Sequence, residues 1–335
     1  MQASIRHDWT RQEVAEIYHL PLMELMYRAS TIHREYQQTG EVQVCTLLSV
    51  KTGGCKEDCS YCSQSARYNT HVAPHKLMTT ESVVNKAKQA KENGSTRFCM
   101  GAAWREARSN KDFERVLDMV GQINEMGLEV CATLGMLDEE QAEALKEAGL
   151  YAYNHNLDTS REYYEQVITT RTFDDRLETI KNVQKAKISV CSGGIIGLGE
   201  TDEDRIGMLT TLACLPTHPE SVPVNALVPV EGTPMEGNKM VSTWEMIRMI
   251  ATARIIMPQA MVRLSAGRTE MSTEAQSLCF MAGANSIFAG DQLLTTPNPE
   301  EDVDMIMFKT LGLTPRASFK EETKKTKLEK DAVIY

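Results

Sequence analysis

Residues 42–62 read VQVCTLLSVKTGGCKEDCSYC, and the fold is argued outward from this stretch. Val42 to Val50 is an apolar, β-branched run of strand length. The turn Lys51-Thr52-Gly53-Gly54 ends it, since adjacent glycines punctuate regular structure. Three cysteines follow directly, spaced C-x3-C-x2-C at Cys55, Cys59 and Cys62. The unit is a strand that runs straight into a loop rich in chemistry.

The same rhythm continues along the chain. Further strands are expected at 96–101, 128–134, 151–157, 188–196, 221–229, 260–265 and 286–289. Helical patterns lie near 80–93, 111–126, 138–148, 172–187, 202–214, 242–257, 273–282 and 299–311. Phe113, Val116, Leu117, Val120 and Ile123 show the recurrence at three and four that makes one apolar helix face. Asp138-Glu139 and Ser242-Thr243 are helix starts, with polar and acidic groups at the first turn. Eight strand-helix units in about 270 residues fit an α/β fold, a (β/α)8 TIM-type barrel. A doubly wound sheet stays open, because periodicity does not give strand order. It lacks its usual fingerprint, as no G-x-G-x-x-G follows the first strand. Residues 1–41 read as a separate N-terminal helical extension, 42–315 as the barrel domain and 316–335 as a charged, flexible tail.

Composition narrows the function classes. Of 335 residues, 42% are hydrophobic, enough for a large core. No apolar run approaches the roughly 20 residues that span a bilayer, and no secretory apolar segment opens the chain, so neither membrane nor export is expected. The net charge of -10 gives no overall attraction to nucleic acid. Nine cysteines, an odd number without a leader, argue against a disulfide framework and for a reducing compartment such as the cytoplasm.

Three thiolates gathered by one loop suit a soft metal or an iron-sulfur cluster. A structural zinc ordinarily wants a fourth ligand at motif distance, and here none is present. A 4Fe-4S cluster with three cysteine ligands keeps one iron open, so the missing ligand becomes useful. Cys99, Cys131 and Cys191 fall within the second, third and fifth strands. Each alone reads as a small buried hydrophobe. Inward groups on different barrel strands converge, however, and three thiols could then hold a second cluster. Arg263 lies in the seventh strand, where residues alone favour an internal ion pair. Asn225 is a polar group in an otherwise apolar sixth strand and must find a partner.

The triplet, with Tyr61 at the aromatic position before its last cysteine, resembles the radical S-adenosylmethionine superfamily. Within that superfamily the chain looks like the biotin synthase family from about residue 10 to 315, through stretches such as GSTRFCMGAAW, YNHNLDTS, ITTRTFDDRLET, VCSGGIIGLGE, VRLSAGR and SIFAGDQLLTTPNPEED. The resemblance implies radical-driven insertion of sulfur at C6 and C9 of dethiobiotin, with a 5′-deoxyadenosyl radical as hydrogen abstractor. It implies a 4Fe-4S cluster on Cys55, Cys59 and Cys62 that binds S-adenosyl-L-methionine at its open iron. It implies a 2Fe-2S cluster, the sulfur donor, on Cys99, Cys131, Cys191 and Arg263, which reverses the ion-pair reading of that arginine. Tyr61, Asn156, Asp158, Ile195, Gly197 and Leu198 would contact S-adenosylmethionine. Asn156, Asn225, Arg263, Thr295 and Thr296 would meet the substrate. A flavodoxin-type electron donor, iron-sulfur assembly machinery and a homodimer come with the same resemblance. Cys45, Cys214 and Cys279 are left as structural. Another radical enzyme on the same barrel and a non-catalytic iron-sulfur carrier are the competing functions. The carrier would close its clusters with full protein ligation.

Overall fold

A computed structural model describes residues 5–290 and 301–318, without the side chains of 301 and 302. Its centre is a closed parallel barrel. In chain order the strands are β1 (Glu41–Lys51), β2 (Arg97–Ala102), β3 (Glu129–Thr133), β4 (Ala152–Asn154), β5 (Ser189–Cys191), β6 (Gly194–Ile196), β7 (Ser221–Ala226), β8 (Met261–Leu264), β9 (Ser286–Ala289) and β10 (Thr314–Pro315). The order runs β1-β2-β3-β4-β5-β7-β8-β9, and β9 pairs back onto β1 through Val44 opposite Ile287. That closure excludes the doubly wound alternative. The short β10 extends the sheet edge beside the start of β1, a pairing with no signal in the sequence.

The expected fifth strand, 188–196, is two strands. β5 ends at Cys191, and β6 resumes at Gly194 with β7 as its partner. Gly193 explains the break. A Cβ there would lie 2.0 Å from the Pro223 carbonyl oxygen, so only glycine lets β7 pass. The freed Gly193 carbonyl accepts from the amide of Leu157 at 3.0 Å. This kink turns the exits of β4 and β6 toward one another, with Asp158 bridging to Gly194.

Helices α1 (Arg11–Tyr18), α2 (Leu22–Tyr36), α3 (Thr80–Glu92), α4 (Lys111–Glu125), α5 (Glu139–Glu147), α6 (Tyr164–Val167), α7 (Phe173–Lys185), α8 (Asp202–Ala213), α9 (Thr243–Ile256), α10 (Thr273–Met281) and α11 (Glu301–Leu311) follow the strand exits or flank the barrel. The Asp138 and Ser242 starts form capping boxes with Gln141 and Glu245. Phe113, Val116, Val120 and Ile123 bury the face of α4 against the sheet. The N-terminal helices pack outside the barrel: α1 contacts α8 and α9, and α2 lies along α9. Arg248 of α9 donates to the Leu20 carbonyl at 2.9 Å, which fixes the turn between them. No helix among the described residues is long and apolar enough to cross a membrane.

His33 sits on α2 with a buried Nδ1 that has no hydrogen-bond partner. Burial, with Arg254 and Arg34 adding positive charge, pushes its pKa down to about 4. The folded state therefore holds it neutral where the unfolded chain protonates it. Its contribution is complete above about pH 6.5 and is lost as pH falls toward about 4, by ~1–3 kcal/mol. Thermal melts of the wild type should weaken over that window, and His33→Phe should flatten the slope. Parallel slopes would contradict this account of α2 docking.

Candidate functional site

The barrel interior is built in layers. At the N-terminal end, Arg97 opens β2, Glu129 opens β3 and Glu220 precedes β7. Arg97 is fully buried and pairs with Glu129 at 2.8 Å and Glu220 at 2.9 Å. The Tyr151 ring lies 5.1 Å from its guanidinium. This ion cluster closes the bottom of the barrel, and sequence reading missed it because each member looks like an ordinary strand-end charge.

Side chains two residues further along a strand share its inward face. That places Cys99 above Arg97 and Cys131 above Glu129, opposite one another in register. Cys191 of β5 and Arg263 of β8 complete the layer, and Arg263 Nη1 is 3.7 Å from Cys191 Sγ. Arg263 is 1% exposed, with Nε on Ser286 Oγ at 2.9 Å and the Phe288 ring 4.6 Å away. No carboxylate bonds to it among the described residues. Burial acts to lower its pKa, and the neighbouring Cys45, Cys191 and Cys99 act to raise it, with the net direction upward. The ion-pair reading of Arg263 is thereby replaced by a guanidinium among sulfurs. Burial drives the thiol pKa of Cys191 upward, and Arg263 opposes that shift.

Cys45 belongs to this layer as well. It packs with Cys99 and Cys131 in a small cluster of its own, and Arg263 Nη2 lies 3.3 Å from its sulfur. Its structural burial is as expected, but its location beside the ligand candidates is not. Of the other spare cysteines, Cys279 is in the core and exposed Cys214 donates to the Trp9 carbonyl at 3.2 Å.

A cavity of about 350 Å³ opens above the thiol layer. Cys99, Cys131 and Arg263 lie on its floor side, and Cys55, Cys59 and Cys62 line its mouth. The cysteine loop is folded on itself: the Cys55 amide donates to the Gln64 carbonyl at 2.9 Å and the Cys62 amide to the Cys59 carbonyl at 2.9 Å. Asp58 ties it to the segment after α6, accepting from the amides of Thr169 at 2.9 Å and Thr170 at 3.1 Å. Gly53, at φ 67°, allows the entry turn to pass close to Pro74. Burial pushes the thiol of Cys59 up to about 12 and that of Cys62 to about 11. Such thiols stay protonated at neutral pH until a cation displaces their protons.

The donor set fits iron-sulfur clusters better than a single ion. Among the described residues no three His, Cys, Asp or Glu side chains converge on a single-ion site. In a 4Fe-4S cluster each thiolate binds a different iron, so a looser triplet of sulfurs suits such a group.

The wall between floor and mouth carries the polar residues. Asn154, His155, Asn156 and Asp158 leave β4 and line the cavity. Asp158 has the left-handed φ of 69° and a carboxylate paired through Oδ2 with Arg176. Arg176 also donates to the Asn156 carbonyl at 2.7 Å and to the Tyr164 hydroxyl at 2.8 Å. Asn225 donates to the Gly194 carbonyl at 2.9 Å and accepts from the Ala266 amide at 3.3 Å. An amide has two donors and two lone pairs, so these bonds use one of each. Ile195 and half-buried Tyr61 line the cavity. Gly197 and Leu198 are not on its lining: the Gly197 amide donates to Glu200 at 2.9 Å, and Leu198 joins the core. Thr295 and Thr296 lie outside the described residues.

One cavity residue went unnoticed in the sequence. The Arg171 side chain is 8% exposed, its Nε and Nη1 lack hydrogen-bond partners, and its Nε is 3.7 Å from buried Glu57. His155 is also buried, with Nε2 unpartnered. Burial holds it neutral, and the nearby Arg176 and Arg171 push the same way. Arg171 stands in ITTRT between α6 and α7, where nothing but the family resemblance drew attention to it.

Residues 49–212 match the Radical SAM superfamily, and residues 223–314 match the Biotin and Thiamin Synthesis associated domain. The two stretches meet between α8 and β7 and share one closed sheet. The chain is 69% identical to the biotin synthase of Cytophaga hutchinsonii over 94% of each chain. It is 61% identical to the mitochondrial biotin synthase of Arabidopsis thaliana, covering 95% of this chain and 84% of that one. In fold it is similar to methylornithine synthase, at 20% identity and TM-score 0.79 over 94% of this chain and 96% of that one. It is likewise similar to an FeFe-hydrogenase maturase from Carboxydothermus hydrogenoformans, at 18% identity and TM-score 0.76 over 92% and 76%.

Proposed function

The chain belongs to the biotin synthase family of radical S-adenosylmethionine enzymes, and we propose that dethiobiotin lies in its cavity between a 4Fe-4S cluster at the mouth and a 2Fe-2S cluster at the floor. The enzyme forms biotin by S-adenosylmethionine-dependent insertion of sulfur into dethiobiotin. One observation supports the two-ended arrangement: a single cavity is reached by the three loop cysteines and by Cys99, Cys131 and Arg263.

In this reading Cys55, Cys59 and Cys62 hold the upper cluster and leave one iron open. With S-adenosylmethionine bound, that group supplies a 5′-deoxyadenosyl radical able to take hydrogen from C6 and C9. The protein's own residues bind, orient and shield. Asp158, held by Arg176, accepts from ribose hydroxyls, while Ile195 and the backbone near Tyr61 flank the adenine. Arg171 offers its unpartnered N–H groups to the carboxylate of the methionine portion. Asn156 bridges nucleoside and substrate. Asn225 uses its remaining N–H and lone pair on the ureido group, which presents both an acceptor and donors. Thr295 and Thr296 receive the substrate carboxylate. Leu47, Ala226 and Phe288 on the cavity wall keep water from the reacting carbon. The sulfur donor is the 2Fe-2S cluster itself, a substrate that Cys99, Cys131, Cys191 and Arg263 would hold. A flavodoxin-type protein delivers the electron, cellular assembly machinery rebuilds the spent cluster, and the enzyme works as a homodimer in the reducing cytoplasm.

The test is an anaerobic turnover of protein reconstituted with iron and sulfide, given dethiobiotin, S-adenosylmethionine and a reductant. Biotin and 5′-deoxyadenosine together are expected. 5′-Deoxyadenosine without biotin would count against the floor cluster, and neither product from fully loaded protein would refute the radical reading. Arg171 gives a separate check. Arg171→Ala should weaken S-adenosylmethionine binding by about 10- to 100-fold in equilibrium dialysis, the value of one or two charge-assisted hydrogen bonds. Unchanged affinity would remove Arg171 from the site.

A further inference from the structure

We propose that Cys45 is an alternative fourth ligand for the floor cluster, able to close it in place of Arg263. The proposal rests on the two-cluster reading above and extends it to a residue that reading leaves idle. Cys45 is fully buried on β1, interacts with the Cys99 thiol and shares one buried cluster with Cys99 and Cys131. The guanidinium of Arg263 reaches two sulfurs at once, Cys191 at 3.7 Å and Cys45 at 3.3 Å. An iron within reach of Arg263 is therefore within reach of Cys45 after a small shift of a short side chain. Four cysteines then surround the position, which is the full complement of a 2Fe-2S cluster.

Packing alone does not account for a thiol here. Besides Arg263, the polar neighbours of Cys45 are Gln43 Oε1 at 3.6 Å and Ser286 Oγ at 3.9 Å. A thiol is a weak donor to such oxygens, and a hydroxyl would serve them better. Iron chemistry reverses that preference, because thiolate is a much softer and stronger ligand than a guanidine nitrogen. Ligation by Cys45 releases the S–H proton and leaves Arg263 charged. The guanidinium then donates a charge-assisted hydrogen bond to the new thiolate.

The experiment uses the full chain, reconstituted anaerobically as wild type, Arg263→Met and Arg263→Met/Cys45→Ser. Iron and sulfide per chain are measured, with Mössbauer spectra separating the two cluster types and circular dichroism checking the fold. Arg263→Met should keep the floor cluster within about twofold of wild type, and the added Cys45→Ser should lower it by at least about fivefold. Loss already complete in Arg263→Met, or equal retention in both variants, would overturn the proposal. A wild type that carries the mouth cluster alone would instead overturn the two-cluster reading, and this inference with it. Should methionine at 263 prevent folding, the Arg263→Lys pair is read by the same criteria, since lysine keeps the buried cation.

Discussion

Cys59→Ala abolishes 5′-deoxyadenosine formation, with a fall of at least about 1,000-fold, equivalent to ~4 kcal/mol in the barrier. The size follows from the loop's construction. Cys59 is the middle member of C-x3-C-x2-C and, at 6% exposed, more buried than its two neighbours in the motif. Two remaining thiols leave the mouth cluster under-ligated, and S-adenosylmethionine then loses the iron that would bind it. The rest of the site should survive, because the loop is held by Asp58 on Thr169 and Thr170 and not by the Cys59 side chain. Circular dichroism should therefore be unchanged. A folded variant that still forms 5′-deoxyadenosine would remove the mouth cluster from this loop.

Cys191→Ala separates the two ends of the cavity. Biotin formation should fall at least about 100-fold, while 5′-deoxyadenosine formation stays within about threefold of wild type, since a ligand of the sulfur donor is lost and the radical machinery is not touched. Cys191 is suited to this test because it lies in the floor layer beside Arg263 and, unlike the loop cysteines, does not line the cavity. Normal biotin yield would refute the floor site as the sulfur source.

Much of this was legible in the chain itself. The run from Val42 into Cys55 predicted a strand feeding a chemical loop, and β1 does so. The alternation predicted eight barrel strands, but it could not foresee the interruption at Gly193. A glycine-rich strand looks continuous to periodicity, and only the approach of Pro223 shows why it must break. Nor could it order the strands, which is a matter of which edges meet. The cysteine positions were clear, yet the company they keep was not. Whether Cys45 faces inward depends on register against β2 and β9, and a one-residue slip would have sent it to the helices. Arg97, Glu129 and Glu220 are separated by long stretches of sequence, so their meeting at the barrel bottom is purely tertiary. Arg171 shows the same limit at the mouth. Its unsatisfied N–H groups become visible only once the walls around it are in place. Gly197 and Leu198 lie off the cavity lining, with the Gly197 amide on Glu200 and Leu198 in the core, which a glycine-rich motif does not reveal by itself.

The central claim is that the cavity joins a radical source at its mouth to a sulfur source at its floor. The most direct measurement labels the floor cluster. Protein is reconstituted with heavy-isotope sulfide, freed of unbound sulfide and allowed a single anaerobic turnover with unlabelled dethiobiotin. The account predicts that the biotin formed carries the heavy sulfur in Arg263-intact wild type and that Cys191→Ala yields none. Biotin formed with unlabelled sulfur, from a protein whose floor cluster remains fully labelled, would contradict it.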